Sequence, residues 1–451
     1  MTDAPHFRAK HIARRGLAIL LAGWAMTAGN ANAQEIPRPS SARQVEKTSL
    51  PTLANFKVGE VLLRVEARMG VEFTDNVDLT PNGKADMVIT PEIGINATWA
   101  VTKLNTLQFR AGFGYAYYLN SPTLNRQTTT ITPDSALNFN VYAGDVKINF
   151  HDQFSLQQEA ISQGTLSGVA QLERFTNTIG FNVLWDTNDI IWHFGYDHFT
   201  FLTLSGANSS TGTSVGGLSR LNHSTDQFSA SMAVKVNSAL IAGFEATGAY
   251  SDYPDQTDSN YTSISAGPFF ELQLTKFTHV FLSGGYKGYF TGANAPGSVS
   301  LSSSTAAQPA QGDPSGYYAN LSFVHRMNRY YSDRLDLGHT DDVEGVGGHT
   351  QVNSIRYSGS WQVNRTLSLG LGLYYEDARI VNGSAVAGAV ASDYTRYGAN
   401  LSTGFQISQH LGLTLGYQYV NKSAVRESES YSQNRVTFTW ISVLVILCFP
   451  L

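Results

Sequence analysis

The sequence predicts an all-β protein, a transmembrane antiparallel up-and-down β-barrel of about 18 strands within a range of 16–18. Three observations carry this expectation. Side chains alternate between apolar and polar with period two from residue 60 to residue 440. The alternating segments are about 9–11 residues long or longer, the length a tilted strand needs to cross a bilayer. The connections alternate between short turns and long loops.

Composition agrees. Only 14% of the 451 residues are charged, while Gly (41), Tyr (22) and Phe (24) are plentiful. A net charge of −5 gives no footprint for a nucleic-acid partner. The single cysteine, Cys448, rules out a disulfide framework within the chain. Residues 1–33 read as a cleaved secretory signal: Arg8, Lys10, Arg14 and Arg15 precede an apolar core from Gly16 to Ala28 and the site Ala31-Asn32-Ala33. That core is shorter than the ~20 residues a membrane helix requires. Residues 34–58, with Pro37, Pro39 and Pro51, read as a periplasmic lead-in.

The strands follow in order. Val61, Leu63, Val65, Ala67, Met69, Val71 and Phe73 oppose Arg64, Glu66, Arg68, Gly70 and Glu72. Leu367, Leu369, Leu371, Leu373 and Tyr375 oppose Ser368, Gly370, Gly372 and Tyr374. The same alternation places strands at 60–73, 86–99, 104–118, 135–143, 145–157, 174–185, 190–203, 225–236 and 239–253. It continues at 261–274, 279–290, 315–327, 332–340, 350–363, 366–379, 393–408, 410–421 and 431–440. Short connections such as TND, NSA and SQH alternate with long ones at 120–134, 158–173, 204–224, 291–314, 341–349 and 380–392. Short periplasmic turns and long extracellular loops mark an outer-membrane barrel. A soluble β-fold would use strands of about 5–6 residues.

In a bilayer the apolar face must point to lipid, and the strands must close so that no edge is left unpaired. Trp99, Tyr115, Trp185, Trp192, Trp361, Tyr419 and Trp440 then form aromatic girdles near strand ends. The opposite face lines a lumen with Arg64, Glu66, Arg68, Glu92, Arg110, Lys147, Lys235 and Glu245. Along the later strands it carries Glu271, Lys287, Arg326, Arg334, Arg356, Glu376, Arg396 and Arg435. Arg or Lys facing lipid at mid-depth costs about 2–4 kcal/mol, which forces the inward assignment. Any one of these charges reads best as a structural ion pair, such as Arg64 with Glu66; only the ensemble points to a pore.

Residues 71–118 carry Thr74-Asp75-Asn76 after the first strand, Asp86 in the loop, Pro91 to Ile95 in the second strand and Tyr115 to Tyr118 in the third. This pattern resembles the outer-membrane β-barrel porin families of Gram-negative bacteria. The resemblance implies an outer-membrane barrel with a transport function. Some relatives of that type are associated with exopolysaccharide export.

No enzymatic constellation is expected. Asp197 and His198 are adjacent on a strand and point to opposite faces. Asp252, Asp255 and Asp258, and likewise Asp341, Asp342 and Glu344, read as solvated loop residues rather than calcium ligands. No metal or cofactor is expected. An 18-strand barrel leaves an aqueous lumen, so the expected function is passive diffusion of small hydrophilic solutes or oligosaccharides. The alternative is a structural or surface-binding barrel accessory to exopolysaccharide export, its lumen plugged by loops 204–224 or 291–314. Expected partners are the outer-membrane lipid bilayer, the outer-membrane assembly machinery and a polysaccharide or small solute. The barrel should span residues 59–440. The run 441–451 (ISVLVILCFPL) is too short for a helical span. A strand continued through it would turn apolar groups toward a polar lumen, so it is expected to be a run-on beyond the barrel.

Overall fold

A β-branched or aromatic residue at every second position favours extended backbone, and extended backbone must find partners for its N–H and C=O groups. In the computed structural model, which describes residues 56–125, 129–159, 172–204, 221–255, 260–291, 315–344, 348–381 and 393–443, those partners are always neighbouring strands. The first six are β1 (Val61–Thr74), β2 (Asp86–Ala100), β3 (Thr106–Gly114), β4 (Ala136–Ala143), β5 (Val146–Glu159) and β6 (Leu172–Asp186). The next six are β7 (Ile190–Thr203), β8 (His223–Lys235), β9 (Leu240–Asp252), β10 (Tyr261–Thr275), β11 (Thr278–Thr291) and β12 (Ser315–His325). The last six are β13 (Tyr331–Glu344), β14 (Gly348–Gln362), β15 (Leu367–Val381), β16 (Tyr394–Ser408), β17 (Leu411–Ala424) and β18 (Tyr431–Val443).

Each strand pairs antiparallel with the next, and β18 pairs with β1, so the sheet closes into an 18-stranded up-and-down barrel. Phe438 lies opposite Leu415 of β17 on one side and Val71 of β1 on the other. Eight turns of two to five residues gather at one rim and nine connections, eight of them of six residues or more, at the other, with both ends of the barrel at the short-turn rim. Asn188, Gly59 and Gly144 take positive φ in connections at the short-turn rim. The expected signal at 1–33, most of the 34–58 lead-in and the central parts of the loops at 204–224 and 291–314 lie outside the described residues.

Four details depart from the sequence expectation. First, β18 runs past Trp440 to Val443, pairing Ser442 with Ala67 and Val443 with Glu66. Ile441 and Val443 do turn inward, because the ladder hydrogen bonds of β1 and β17 need a partner there: the Val443 N–H donates to His410 O at 2.8 Å. Residues 444–451 lie outside the described residues. Second, Asp341, Asp342 and Glu344 belong to β13 and not to a loop, facing Gln351, Thr350 and Gly348 of β14. Third, the last residues of the lead-in, Phe56–Val58, fold back about Gly59 and pair with Val61–Leu63.

Fourth, the inner face is not polar throughout. Leu184, Ile191, Ala233, Ile241, Phe269 and Phe281 share it and pack into an apolar cluster. Gly243 makes this possible, since a Cβ there would lie 2.4 Å from the Phe269 ring. Nearer the long-loop rim, Phe201, His223, Tyr253, Tyr261 and Tyr289 form a ladder of rings with successive centroids 4.9–6.4 Å apart. Ile191, Ala233 and Phe269 of the first group and Phe201, Tyr253, Tyr261 and Tyr289 of the second are buried by their neighbours, and the others are partly buried.

Glycine is required where β10 and β11 approach closely. The ladder skips between Ala266–Tyr286 and Phe269–Ser283, where Pro268 has no N–H to donate. A Cβ on Gly285 would lie 2.1 Å from the Ala266 carbonyl oxygen, a backbone atom that cannot move aside cheaply. We expect Gly285→Ala to destabilise the barrel by about 1–3 kcal/mol. Gly248→Ala, with open space around the new methyl, should leave it unchanged. The midpoints of urea unfolding in detergent micelles measure the difference.

Candidate functional site

Which face is inward follows from contacts between strands that are not neighbours. The Tyr318 hydroxyl of β12 donates to Glu245 of β9 at 3.0 Å, which only side chains on the concave face can do. The opposite face carries most of the large exposed apolar side chains, among them Phe228, Phe244, Leu401 and Phe438. Strand register carries this assignment around the barrel.

Two ion networks occupy the inner face. In the first, Glu66 sits between Arg64, at 2.9 Å, and Arg68. Arg68 also lies 4.0 Å from Glu92 and 3.5 Å from Asp134, and Asp134 in turn lies 3.6 Å from Arg110. Asp134 gets there through a bulge. Ile131 faces Phe113 while Ala136 faces Arg110, so five steps along this segment match three on β3. The surplus residues fold over Gly112, where a Cβ would lie 2.2 Å from Thr132 Oγ1. In the second network Glu376 of β15 sits between Arg356 of β14, at 3.0 Å, and Arg396 of β16, at 2.6 Å. At the seam, Arg435 of β18 lies 3.5 Å from Glu72 of β1 and donates to Gln418 of β17 at 2.6 Å.

The burial within these networks is unequal. Glu66 and Glu376 are 4% and 6% exposed, against 30% for Arg64 and 42% for Arg356. Arg110 is 48% exposed against 15% for Asp134. At Arg64, Arg110 and Arg356 the guanidinium group is the more exposed partner, whereas Arg68 and Arg396, at 19% and 11%, are buried with their carboxylates, and Glu72, at 27%, is more open than Arg435, at 20%. At Arg64, Arg110 and Arg356, then, the cationic partner is the one turned toward the lumen.

Strand register puts Lys147, Lys235, Glu271, Lys287 and Arg334 on the same face as Glu245. Lys235 pairs with Asp186 at 2.6 Å, and Arg334 with Asp336 at 2.7 Å. Lys147 lies over the Tyr142 ring and Lys287 over the Tyr289 ring, 5.8 and 5.3 Å from the centroids. Glu271 faces Ile241 and Phe281. Arg326 follows the end of β12 at the short-turn rim, its N–H bonded to Phe277 O. On the outer face, Trp99, Trp185, Trp192, Trp361 and Trp440 all lie near the short-turn rim, with Trp185 directly opposite Trp192. Tyr115 and Tyr419 lie toward the long-loop rim, Tyr419 6.2 Å from Tyr397.

Asp197 and His198 are divided between the two faces. Asp197 bonds His151 Nε2 at 2.6 Å on the inner face, while His198 Nδ1 meets Asp226 at 2.8 Å on the outer face, where the Tyr196 hydroxyl also donates to Asp226. Among the described residues, no three His, Cys, Asp or Glu side chains group as a metal site would require.

Sequence reasoning missed Asp134 and Lys422. Lys422 is on the inner face of β17, 1% exposed, with its ammonium 4.9 Å from the Tyr394 ring centroid. It shares the parity of Gln418, so extending that segment by one residue would have found it. Nothing local distinguishes Asp134 from an ordinary turn aspartate.

No protein-family model matches the chain, and neither does any curated protein sequence. Several solved outer-membrane proteins are similar in structure at low identity. OpdK of Pseudomonas aeruginosa, solved with vanillate, matches with a TM-score of 0.45 and 9% identity over 85% of this chain and 99% of OpdK. OccK2 of the same organism, in complex with glucuronate, gives 0.46 and 10% identity over 85% and 98%. A loop L8 deletion mutant of OmpT from Vibrio cholerae gives 0.37 and 13% identity over 85% and 100%. At these scores the architecture rests on the chain's own strand ladder.

Glu376→Gln should leave Arg356 and Arg396 without their shared anion. Since Arg356 is partly solvated, the expected cost is about 2–4 kcal/mol, read as a lower temperature for loss of the folded band in semi-native electrophoresis.

Proposed function

We propose that the chain is an outer-membrane β-barrel channel of a Gram-negative bacterium, exported by the signal at 1–33, that passes small hydrophilic solutes or oligosaccharides by passive diffusion. One observation carries this: a closed 18-strand barrel whose outer face is apolar between rims of Trp and Tyr and whose inner face holds the charged networks. Among strand assemblies, only a closed ladder satisfies every backbone group across a bilayer, and 18 strands are too many for side chains to fill the interior. The bilayer is then the chain's principal partner, and the outer-membrane assembly machinery its route there.

The arrangement of the networks favours anions. Arg64, Arg110 and Arg356 face the water while their carboxylates lie in the wall, and lining charge sets selectivity. The plugged alternative, an accessory to exopolysaccharide export, gains support from one feature, the first long-rim loop folded inside the mouth.

The test is single-channel recording from refolded protein in planar bilayers. We expect discrete conductance steps and a reversal potential in a KCl gradient displaced toward that of chloride. Arg110→Glu with Arg356→Glu should move it toward potassium. Absence of steps at every voltage would sink the channel reading, and a cation-directed reversal potential in the wild-type chain would sink the anion preference.

A further inference from the structure

We propose that the loop of residues 75–85 is the constriction of the channel mouth and that Leu79 sets its width, an inference that rests on the channel reading. This loop lies inside the barrel. Val77 packs on Val88, Ala116, Tyr118 and Leu124 beside β2 and β3. Leu79 packs on Tyr374 of β15, Val420 of β17 and Tyr431 of β18. All of Val88, Tyr118, Tyr374, Val420 and Tyr431 are on the inner face by register. The two apolar feet therefore stand on either side of the closing seam, and the loop reaches across the inner face from β3 to β15.

The loop is held there by more than its feet. The Asn76 side chain donates to Thr80 O at 2.7 Å and to Ser432 O at 3.0 Å and accepts from the Thr80 N–H at 3.1 Å. Gln433 Nε2 donates to Asn76 O at 2.8 Å, and the Val77 N–H donates to Lys84 O at 2.9 Å. Gly83 lies against the Asn76 amide, where a Cβ would come within 1.9 Å. Leu79 itself has φ of 52°, a conformation that a residue with a Cβ rarely adopts. A side chain held in that region and 4% exposed is one the surrounding structure over-determines.

The consequence is a narrower mouth. Eighteen strands about 4.8 Å apart and tilted by about 40° enclose a backbone circle of roughly 36 Å diameter. A segment packed on a sheet face stands about 10 Å off it, so the loop occupies more than a quarter of that width on its side.

Three variants of the full chain test this. Leu79→Gly suits the positive φ and removes the foot, Asn76→Ala releases the latch, and Leu79→Cys with Val420→Cys, in a Cys448→Ser background, allows the loop to be tied down. We expect the first two to raise single-channel conductance by about twofold, as a wider constriction would, and to admit larger sugars in liposome swelling. The cysteine pair should conduct like the wild type when oxidised and more when reduced, which also serves if either single variant fails to assemble. Wild-type conductance and sugar cut-off in all folded variants would overturn the proposal while leaving the channel reading intact. A silent wild type with conducting variants would overturn the open-channel reading, and this proposal with it, in favour of a plugged barrel. Silence in all of them would overturn the channel reading and this proposal together.

Discussion

The rest of the structure depends on sealing the contact between β1 and β18. Across an apolar layer no backbone N–H or C=O can be left to water, so the barrel must close along its whole height. Three segments in succession complete the free edge of β1. Phe56–Val58 covers Val61–Leu63, Val443 back to Arg435 covers Glu66–Thr74, and above the strand Asp75 and Asn76 bind Ser432–Asn434. Residues from opposite ends of the chain thus supply one continuous ladder. The Thr74-Asp75-Asn76 motif is the stitch at its upper end, and because Asn76 also organises the loop that follows, the same stitch holds a segment of chain inside the mouth.

Closure also explains the ion networks. With the outer face mostly apolar, most charges on the strands lie inside, where adjacent strands bring side chains of either sign within a few ångströms. A carboxylate such as Glu66 or Glu376 takes two arginines, which offsets the cost of its burial and leaves the second side of an arginine to water. Structural bracing and lumen electrostatics are therefore two consequences of one arrangement, divided between buried arginines such as Arg396 and exposed ones such as Arg356.

Much of the barrel was legible because its governing signal is local. Period-two alternation assigns a face to each residue without knowledge of its partners, and it placed 18 strands and the inward face of Arg64, Arg110, Arg356 and Arg435. It failed where pairing with a distant strand overrode local pattern. Ile441 and Val443 are apolar yet turn inward because β1 and β17 require their hydrogen bonds. Asp341 and Glu344 look like loop residues yet extend β13 because β14 begins at Gly348 to meet them. Asp134 enters the lumen through a bulge that only the spacing of β3 and β5 reveals.

By itself the sequence determined the all-β class, a count of about 18 strands, the rim at which each connection lies and the split between an apolar face and a mostly polar face. These follow from strand length and side-chain parity, properties of a few consecutive residues. Only the tertiary structure decided what meets inside: which arginines share a carboxylate, where aromatic and apolar clusters replace polar lining, and that Val77 and Leu79 stand inside the mouth. Those contacts join residues hundreds of positions apart, such as Leu79 with Val420 and Tyr431. They exist only because the strand ladder closes into a ring, which no local pattern encodes.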